Sequence, residues 1–156
     1  QTPALRAIGH VVSGDATHTQ AVIDANALPQ LRDLLSVPSY QQSVCWALSN
    51  IAAGTPEQLQ AILDGADVIL MVSNLLMSED TDLKTKVEAV WVLANATMGG
   101  TPAQIEILVS MGVVEALRTV IDVDGAKEPA MKGLERIKVI VQEAKKKKNE
   151  NSIIMI

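Results

Sequence analysis

Aromatic residues are scarce in this sequence of 156 residues, which has two Trp, one Tyr and no Phe. Hydrophobic residues nevertheless make up 48% of the chain, so the core must be built from aliphatic side chains, mainly Leu, Ile, Val, Ala and Met. That mixture favours helices. No strand-like alternation of apolar and polar residues of useful length occurs, and the sequence therefore predicts an all-α fold.

Cysteine and histidine are also rare. Cys45 is the single cysteine, which excludes an intramolecular disulfide and a multi-cysteine metal site. His10 and His18 are the only imidazoles, and they belong to no metal-binding spacing. No phosphate-binding glycine loop and no grouping of nucleophile, base and orienting residue is visible. We therefore expect no enzyme activity, no catalytic residues, no metal and no cofactor.

Long apolar runs and an excess of positive charge are both missing. No run of about eighteen apolar residues and no signal-peptide pattern occurs, so no contact with a membrane is expected. The formal net charge is −5, which argues against binding nucleic acid by phosphate neutralisation. Residues 145–150 contain four Lys and one Glu, so the rest of the chain carries a formal charge of −8. An acidic body of this kind suits a basic partner.

The chain does contain an internal repeat. Three segments each begin with a glycine-marked turn, at Gly14, Gly54 and Gly99, and continue with two apolar stretches and a longer third one. The starts are 40 and 45 residues apart, and that spacing is typical of HEAT and armadillo repeats. Each unit therefore corresponds to three helices. The sequence predicts a right-handed superhelical solenoid of armadillo repeats.

The boundaries follow from helix-start chemistry. Thr55-Pro56 and Thr101-Pro102 place a capping hydroxyl before a first-turn proline. We expect the third helix of a preceding repeat at 1–13, full repeats at 14–53, 54–98 and 99–143, and a basic then apolar flexible tail at 144–156.

The third helices carry a repeated Trp/Asn pattern. Trp46 precedes Asn50 by four residues, as Trp91 precedes Asn95, so each pair lies on one helix face. One Trp on a helix is more often a core residue, but two at equivalent repeat positions favour a binding surface. Asn amides can pair with the backbone of an extended peptide, and indoles can hold the stem of a Lys or Arg. The pattern, here called the Trp/Asn ladder, predicts a site for an extended basic peptide.

Three motifs in order then identify a family resemblance. They are ALRAIG at 4–9, CWALSNIAAG at 45–54 and EAVWVLANATMGG at 88–100. Over about residues 3 to 143 the chain resembles the C-terminal half of importin-α, the armadillo adaptor that carries nuclear localisation signals. Arg6, followed by Trp46 and Trp91, is similar to the minor signal-binding site of that family.

The resemblance implies roles for particular residues. Trp46 and Trp91 would form side-chain slots, and Asn50 and Asn95 would clamp the signal backbone. The further peptide-binding residues it implies are Glu88 and Ser49, which would contact a basic side chain; Val12, Ser13 and Gly14, which would line a lysine pocket; and Arg6.

The sequence also departs from the family pattern. His10 stands where the family usually has Asn, and Gln42-Ser43 replaces a common Lys-Glu pair. Lys132 and Arg136 are expected at the Trp and Asn positions of the last repeat, where their charge would end the site.

The implied function is that of a nuclear import adaptor fragment that binds Lys/Arg-rich localisation signals of cargo proteins in an acidic concave groove. Family members engage the import β-subunit through a basic N-terminal segment that this sequence does not include, so we expect a fragment. The implied location is cytoplasm and nucleus. The alternative is an armadillo scaffold that binds other protein partners without recognising such signals. The Trp/Asn ladder is the sequence feature that distinguishes the adaptor function from the scaffold function.

Overall fold

The computed structural model describes residues 3–65 and 67–154, with side chains up to 151. Within these ranges the chain forms helices and no strand, as the composition predicts. The helices are α1 (Pro3–Val12), α2 (Ala16–Asp24), α3 (Ala27–Leu34), α4 (Pro38–Ala52), α5 (Pro56–Asp64), α6 (Val68–Met77), α7 (Leu83–Gly99), α8 (Pro102–Ser110), α9 (Val113–Arg118) and α10 (Lys127–Ile154).

The helices follow one another as triplets. After α1, two short helices precede a long one three times: α2 and α3 precede α4, α5 and α6 precede α7, and α8 and α9 precede α10. The long helices pack side by side in the order α1, α4, α7, α10. They form one continuous layer, the third-helix layer, so that equivalent residues of neighbouring triplets lie next to each other.

Glutamine side chains connect the triplets. Thr55 and Thr101 each form the predicted cap, and each cap is completed by the side chain of Gln58 or Gln104. The amide of Gln58 also donates to the carbonyl of Ala16 at 2.7 Å in the preceding triplet. In the same way, the amide of Gln104 donates to the carbonyl of Pro56 at 2.8 Å. One side chain therefore begins a helix and ties its triplet to the preceding one.

The core is aliphatic, as the composition predicts. Its largest fully buried side chains are Leu31, Leu35, Leu48, Ile51, Leu59, Ile62, Ile69, Leu76, Leu93, Ile105, Leu108 and Leu117. Cys45 is buried among them, and this burial raises the pKa of its thiol to about 12. Cys45 is therefore a small apolar filler in its thiol form.

The segment from residue 144, expected as a flexible tail, instead continues α10 to Ile154. No Pro or Gly follows Gly133, and residues 144–150 are mostly Ala, Lys and Glu, which are strong helix formers. Nothing in the sequence therefore ends the helix at residue 144. Met155 and Ile156 lie outside the described residues.

Membrane-spanning segments can be tested by length and hydropathy. Among the described residues no single helix is long and apolar enough to cross a bilayer. Only α5 and α6 together reach the required length and composition, with a bend of 81° between them.

Candidate functional site

The Trp/Asn ladder is the partly exposed stripe of two otherwise buried helix segments. From Ser43 to Ala52 every residue is buried except Trp46 and Asn50. From Ala89 to Thr97 every residue is buried except Trp91 and Asn95. Because α4 and α7 pack side by side, the two pairs lie on one face of the third-helix layer.

Trp46 forms one wall of a cavity of about 360 Å³. The indole is half-buried, and the ring of His10 meets it edge-on, with ring centroids 5.4 Å apart and an interplanar angle of 82°. The cavity, here called the Trp46 slot, is lined by Arg6, His10, Gln42, Ser43, Trp46 and Glu88. It brings together three predicted site residues from three successive long helices: Arg6, Trp46 and Glu88.

Gly9 explains how Trp46 reaches this position. A Cβ atom added at Gly9 would overlap the six-membered ring of the Trp46 indole. The indole therefore lies directly against the backbone of α1, which only glycine permits. The sequence motif contains this glycine, but its partner becomes visible only in the packed helices.

Glu88 supplies the negative charge of the Trp46 slot. Its carboxylate is half-buried, and burial raises the pKa of Glu88 above its ordinary value. Within the described ranges, no ion pair involves Glu88. A half-buried carboxylate in this situation is stabilised when a cation enters the slot.

The two Asn residues of the ladder differ in their hydrogen bonds. The side-chain amide of Asn95 donates to the carbonyl of Ser49 at 3.0 Å and so ties α7 to α4. The amide nitrogen of Asn50 is buried and has no hydrogen-bond partner in the described part of the chain. Leaving such a donor unpaired costs about 1–3 kcal/mol.

Ser49, for which the resemblance implies contact with a basic side chain, makes its hydrogen bonds within the protein. It is buried, and its hydroxyl donates to the carbonyl of Trp46 at 2.8 Å within α4. Its own carbonyl accepts the bond from Asn95. Ser49 therefore holds the Asn95 side chain in place from the buried side of α4. The helical position one residue before Asn50 faces the core.

A second cavity, of about 390 Å³, lies beside Asn50. Val12, Ser13 and Gly14 line it, as the resemblance implies for a lysine pocket, and Thr19 and Thr55 complete it. The Thr19 hydroxyl donates to the carbonyl of Val12 at 3.3 Å. The sequence reading missed Thr19, and its signal was a polar residue on the buried face of α2.

A third cavity, of about 410 Å³, lies between Trp91 and the start of α10. We call it the Trp91 slot; its lining residues are Trp91, Gly125, Lys127, Glu128, Pro129 and Met131. Glu128 precedes Met131 by three residues, as Glu88 precedes Trp91.

The expected positions of Lys132 and Arg136 are therefore wrong by one residue, since Met131 takes the Trp position in α10. The preceding helix α9 has only six residues, and α10 begins late, at Lys127. Lys132 instead pairs with Glu128, with 2.7 Å between Nζ and Oε1.

The chemistry offered by these cavities is that of binding. Among the described residues no group of three or more His, Cys, Asp and Glu side chains could hold a metal ion. The slots present indole faces, one uncompensated carboxylate and amide groups along a continuous layer of helices. Such a surface fits a chain that lies across several repeats.

Sequence comparisons agree with this architecture. A family model described as "Armadillo/beta-catenin-like repeat" matches residues 15–53. Importin subunit alpha-1a of Oryza sativa subsp. japonica is 43% identical over 80 residues, which are 49% of this chain and 15% of that protein. Importin subunit alpha-8 of Arabidopsis thaliana is 30% identical over 154 residues, 97% of this chain and 34% of that protein. The chain thus spans about a third or less of the length of these relatives.

Solved structures show the same fold. The designed armadillo repeat protein YIII(Dq)4CqI superposes with a TM-score of 0.79 at 28% identity, over 86% of this chain and 56% of that one. A second designed armadillo repeat protein, YIII(Dq.V1)4CPAF, was solved in complex with the peptide (KR)4. It has a TM-score of 0.73 at 28% identity, over 89% of this chain and 62% of that one. The predicted armadillo solenoid is confirmed.

Proposed function

The chain consists of armadillo repeats of the importin-α type, and on that basis we propose that it binds extended Lys/Arg-rich peptides across its third-helix layer. In the cell these peptides are nuclear localisation signals of cargo proteins, and the chain is part of an adaptor that moves between cytoplasm and nucleus. The observation that carries the proposal is the half-buried carboxylate of Glu88, which has no ion-pair partner among the described residues and lies in a slot walled by Trp46.

The Trp46 slot receives one basic side chain. Its aliphatic stem packs on the indole of Trp46, where the positive charge adds a cation–π attraction of about 0.5–2 kcal/mol. The charged end meets Glu88. The cavity beside Asn50 takes a second basic side chain, whose cation reaches the carbonyl of Val12 and the hydroxyl of Thr19.

The ladder amides hold the peptide backbone between these side chains. Asn50 has an unpaired amide donor, and a peptide carbonyl would satisfy it after a rotation of the side-chain amide. Asn95 is held in place by its bond to Ser49, which leaves its oxygen to accept from a peptide N–H. Binding would thus complete hydrogen bonds that the free protein lacks.

The comparisons support this proposal by analogy. Several relatives are importin alpha subunits, and a structural neighbour was solved with a peptide of alternating Lys and Arg. The whole adaptor would also engage an import β-subunit through a segment outside the aligned repeats, which is part of the proposal for the whole protein.

The test is a titration with a fluorescent Lys/Arg-rich peptide and an acidic control peptide. Glu88→Gln should raise the Kd of the basic peptide about tenfold, since a charge-assisted contact of roughly 1.4 kcal/mol is lost. Glu106→Gln, at an exposed position of α8, is the matched control and should leave Kd unchanged. Equal Kd values for wild type and Glu88→Gln would contradict the proposal.

One observation favours the scaffold alternative. The bond from Asn95 to Ser49 already joins α7 to α4, so the ladder has a structural use without any ligand. The double change Asn50→Ala with Asn95→Ala separates the two functions. If the ladder binds peptide, the folded variant should lose roughly 1–3 kcal/mol of peptide affinity; unchanged affinity with an intact helical spectrum would favour the scaffold.

A further inference from the structure

We propose that the Trp91 slot takes an apolar side chain of the bound peptide, at a fixed distance along the peptide from the basic side chain held in the Trp46 slot. The inference rests on the proposed function and adds a specificity rule to it: an aliphatic residue at a set position relative to a basic residue. It would distinguish this protein's ligands from peptides that are merely cationic.

The walls of the Trp91 slot are apolar. The Trp91 side chain is half-buried and Pro129 is buried. Met131 is 51% exposed, which is unusual for a large hydrophobic residue. Methionine adapts its shape to a partner because it is unbranched and flexible. An exposed Met opposite an indole, in a cavity of about 410 Å³, gives an aliphatic side chain surfaces to contact on two sides.

Gly125 lines this cavity and lies close to α7. Gly125 has a φ of 79°, in the left-handed region that favours glycine. A Cβ atom added there would lie 3.2 Å from Cγ2 of Val87. The turn before α10 therefore lies against α7.

The two slots differ in how their carboxylates are paired. The Trp46 slot contains Arg6 as well as Glu88, and Glu88 makes no ion pair within the described ranges. In the Trp91 slot the Glu128 carboxylate pairs with Lys132 at 2.7 Å, and the hydrogen bond from Lys132 lowers the pKa of Glu128. Lys127 adds a positive charge to the lining. A Lys or Arg entering here would meet Lys127 and compete with Lys132, whereas an aliphatic side chain removes apolar surface from water without a charge conflict.

The spacing of the slots sets the position in the peptide. The Trp46 slot is lined mainly by α1 and α4, and the Trp91 slot by α7 and α10. Adjacent packed helices are about 8–10 Å apart, so the two slots are separated by nearly two such distances. An extended chain advances about 3.3 Å per residue, so the two side chains lie about four to six residues apart along the peptide, in either direction.

The experiment is a leucine scan of an Ala-flanked peptide with a single Lys-Arg core. Each flanking Ala is replaced in turn by Leu, and Kd is measured by fluorescence anisotropy. We expect one position, about four to six residues from a core residue, where Leu lowers Kd about fivefold. Met131→Ala should abolish this gain, so that the Leu peptide binds no more tightly than the Ala-flanked parent peptide. Met77→Ala, at an exposed methionine of α6, is the matched control and should keep the gain.

The outcomes separate the two proposals. If the parent peptide binds but no Leu position lowers Kd, the specificity rule is wrong and the proposed function stands. If a peptide with Lys at the responsive position binds more tightly than the Leu peptide at low and at high salt, the slot prefers a basic side chain and the rule is overturned. If no cationic peptide binds to the folded protein, the proposed function fails and the rule fails with it. Met131→Glu provides a second variant, and it should weaken the Leu peptide more than Met131→Ala.

Discussion

At the residue scale, the binding surface depends on the contact between Gly9 and Trp46. The indole lies against the α1 backbone because position 9 has no side chain, and this places it opposite Glu88. A glycine inside a helix normally costs about 0.5–1 kcal/mol relative to alanine. The loss is tolerated at position 9 because the aromatic ring fills the space that a methyl group would occupy.

Gly9→Ala should therefore displace the Trp46 ring and weaken a basic peptide about five- to tenfold, a change of roughly 1–1.4 kcal/mol. The indole emission should shift to longer wavelength because the ring becomes more exposed. Gly99→Ala is the control, since a Cβ there meets only the carbonyl oxygen of Ala52, at 3.9 Å. Unchanged emission and affinity in Gly9→Ala would show that the ring has room to move without loss of function.

Glu88 gives the site a pH dependence. Its folded-state pKa is raised above 4.5 by burial, so the carboxylate gains its proton earlier on acidification than an exposed Glu. Protonation favours the free folded protein at low pH, and this stabilisation is lost as pH rises through the raised pKa. Peptide affinity has the opposite trend because binding needs the charged form.

We therefore expect peptide affinity to fall as pH is lowered through the raised pKa of Glu88. Affinity is measured in Glu88→Gln as well. This variant should have a shallower pH profile than wild type. If the Glu88→Gln profile is as steep as that of wild type, Glu88 is not the group responsible.

The limits of sequence reasoning are clear at this scale. Trp46, Glu88 and Arg6 were each predicted from motif positions that the resemblance supplied, and the structure brings them to one slot. Ser49 is buried and hydrogen-bonded within α4, and a short motif does not say which helix face is buried. Thr19 was missed because its site contact depends on how α2 packs against the end of α1.

At the element scale, the helices of the described ranges follow from capping residues and apolar spacing, but the register of the last one does not. Thr55 and Thr101 predicted two helix starts to the residue. The start of α10 has no such cap residue, and the short α9 before it changes the spacing. The register of the last triplet therefore depends on packing, in which Gly125 lies against Val87. No local sequence pattern indicates this contact.

The capping glutamines should be the most sensitive polar positions of the helix starts. Gln104→Ala removes a cap contact and the bond to the carbonyl of Pro56, and should cost about 2 kcal/mol of unfolding free energy. For a chain of this size that corresponds to a fall in Tm of roughly 4–8 °C. Gln142→Ala, an exposed helical position, should change Tm little. An unchanged Tm in Gln104→Ala, or an equal fall in Gln142→Ala, would contradict this account.

At the scale of the whole molecule, the charge distribution sets how the two slots respond to salt. The body apart from residues 145–150 carries a formal charge of −8, which attracts a cationic peptide over distances that salt shortens. The Debye length falls from about 10 Å at 0.1 M to about 3 Å at 1 M. The apolar contact of the Trp91 slot has no such dependence.

The Kd of the Lys-Arg peptide should therefore rise strongly between about 0.1 M and about 1 M salt. The ratio of Kd between the Ala and Leu versions should stay nearly constant over the same range. Measurement of both peptides in one salt series checks this. A Kd that is insensitive to salt would exclude an electrostatic groove, and a Leu gain that disappears with salt would show that the gain is not hydrophobic.

The glutamine links have a consequence for how the molecule opens. The same bond recurs from Gln58 to Ala16 and from Gln104 to Pro56, over separations of 42 and 48 residues. Each links only adjacent triplets, so unfolding should behave as a chain of neighbour-coupled steps that starts at the outer helices. Amide hydrogen exchange should then be slowest in α4 and α7, which have long helices on both sides, and faster toward α1 and the far end of α10. Cutting one link, as in Gln104→Ala, should let α8 to α10 exchange by a separate opening while α4 stays protected.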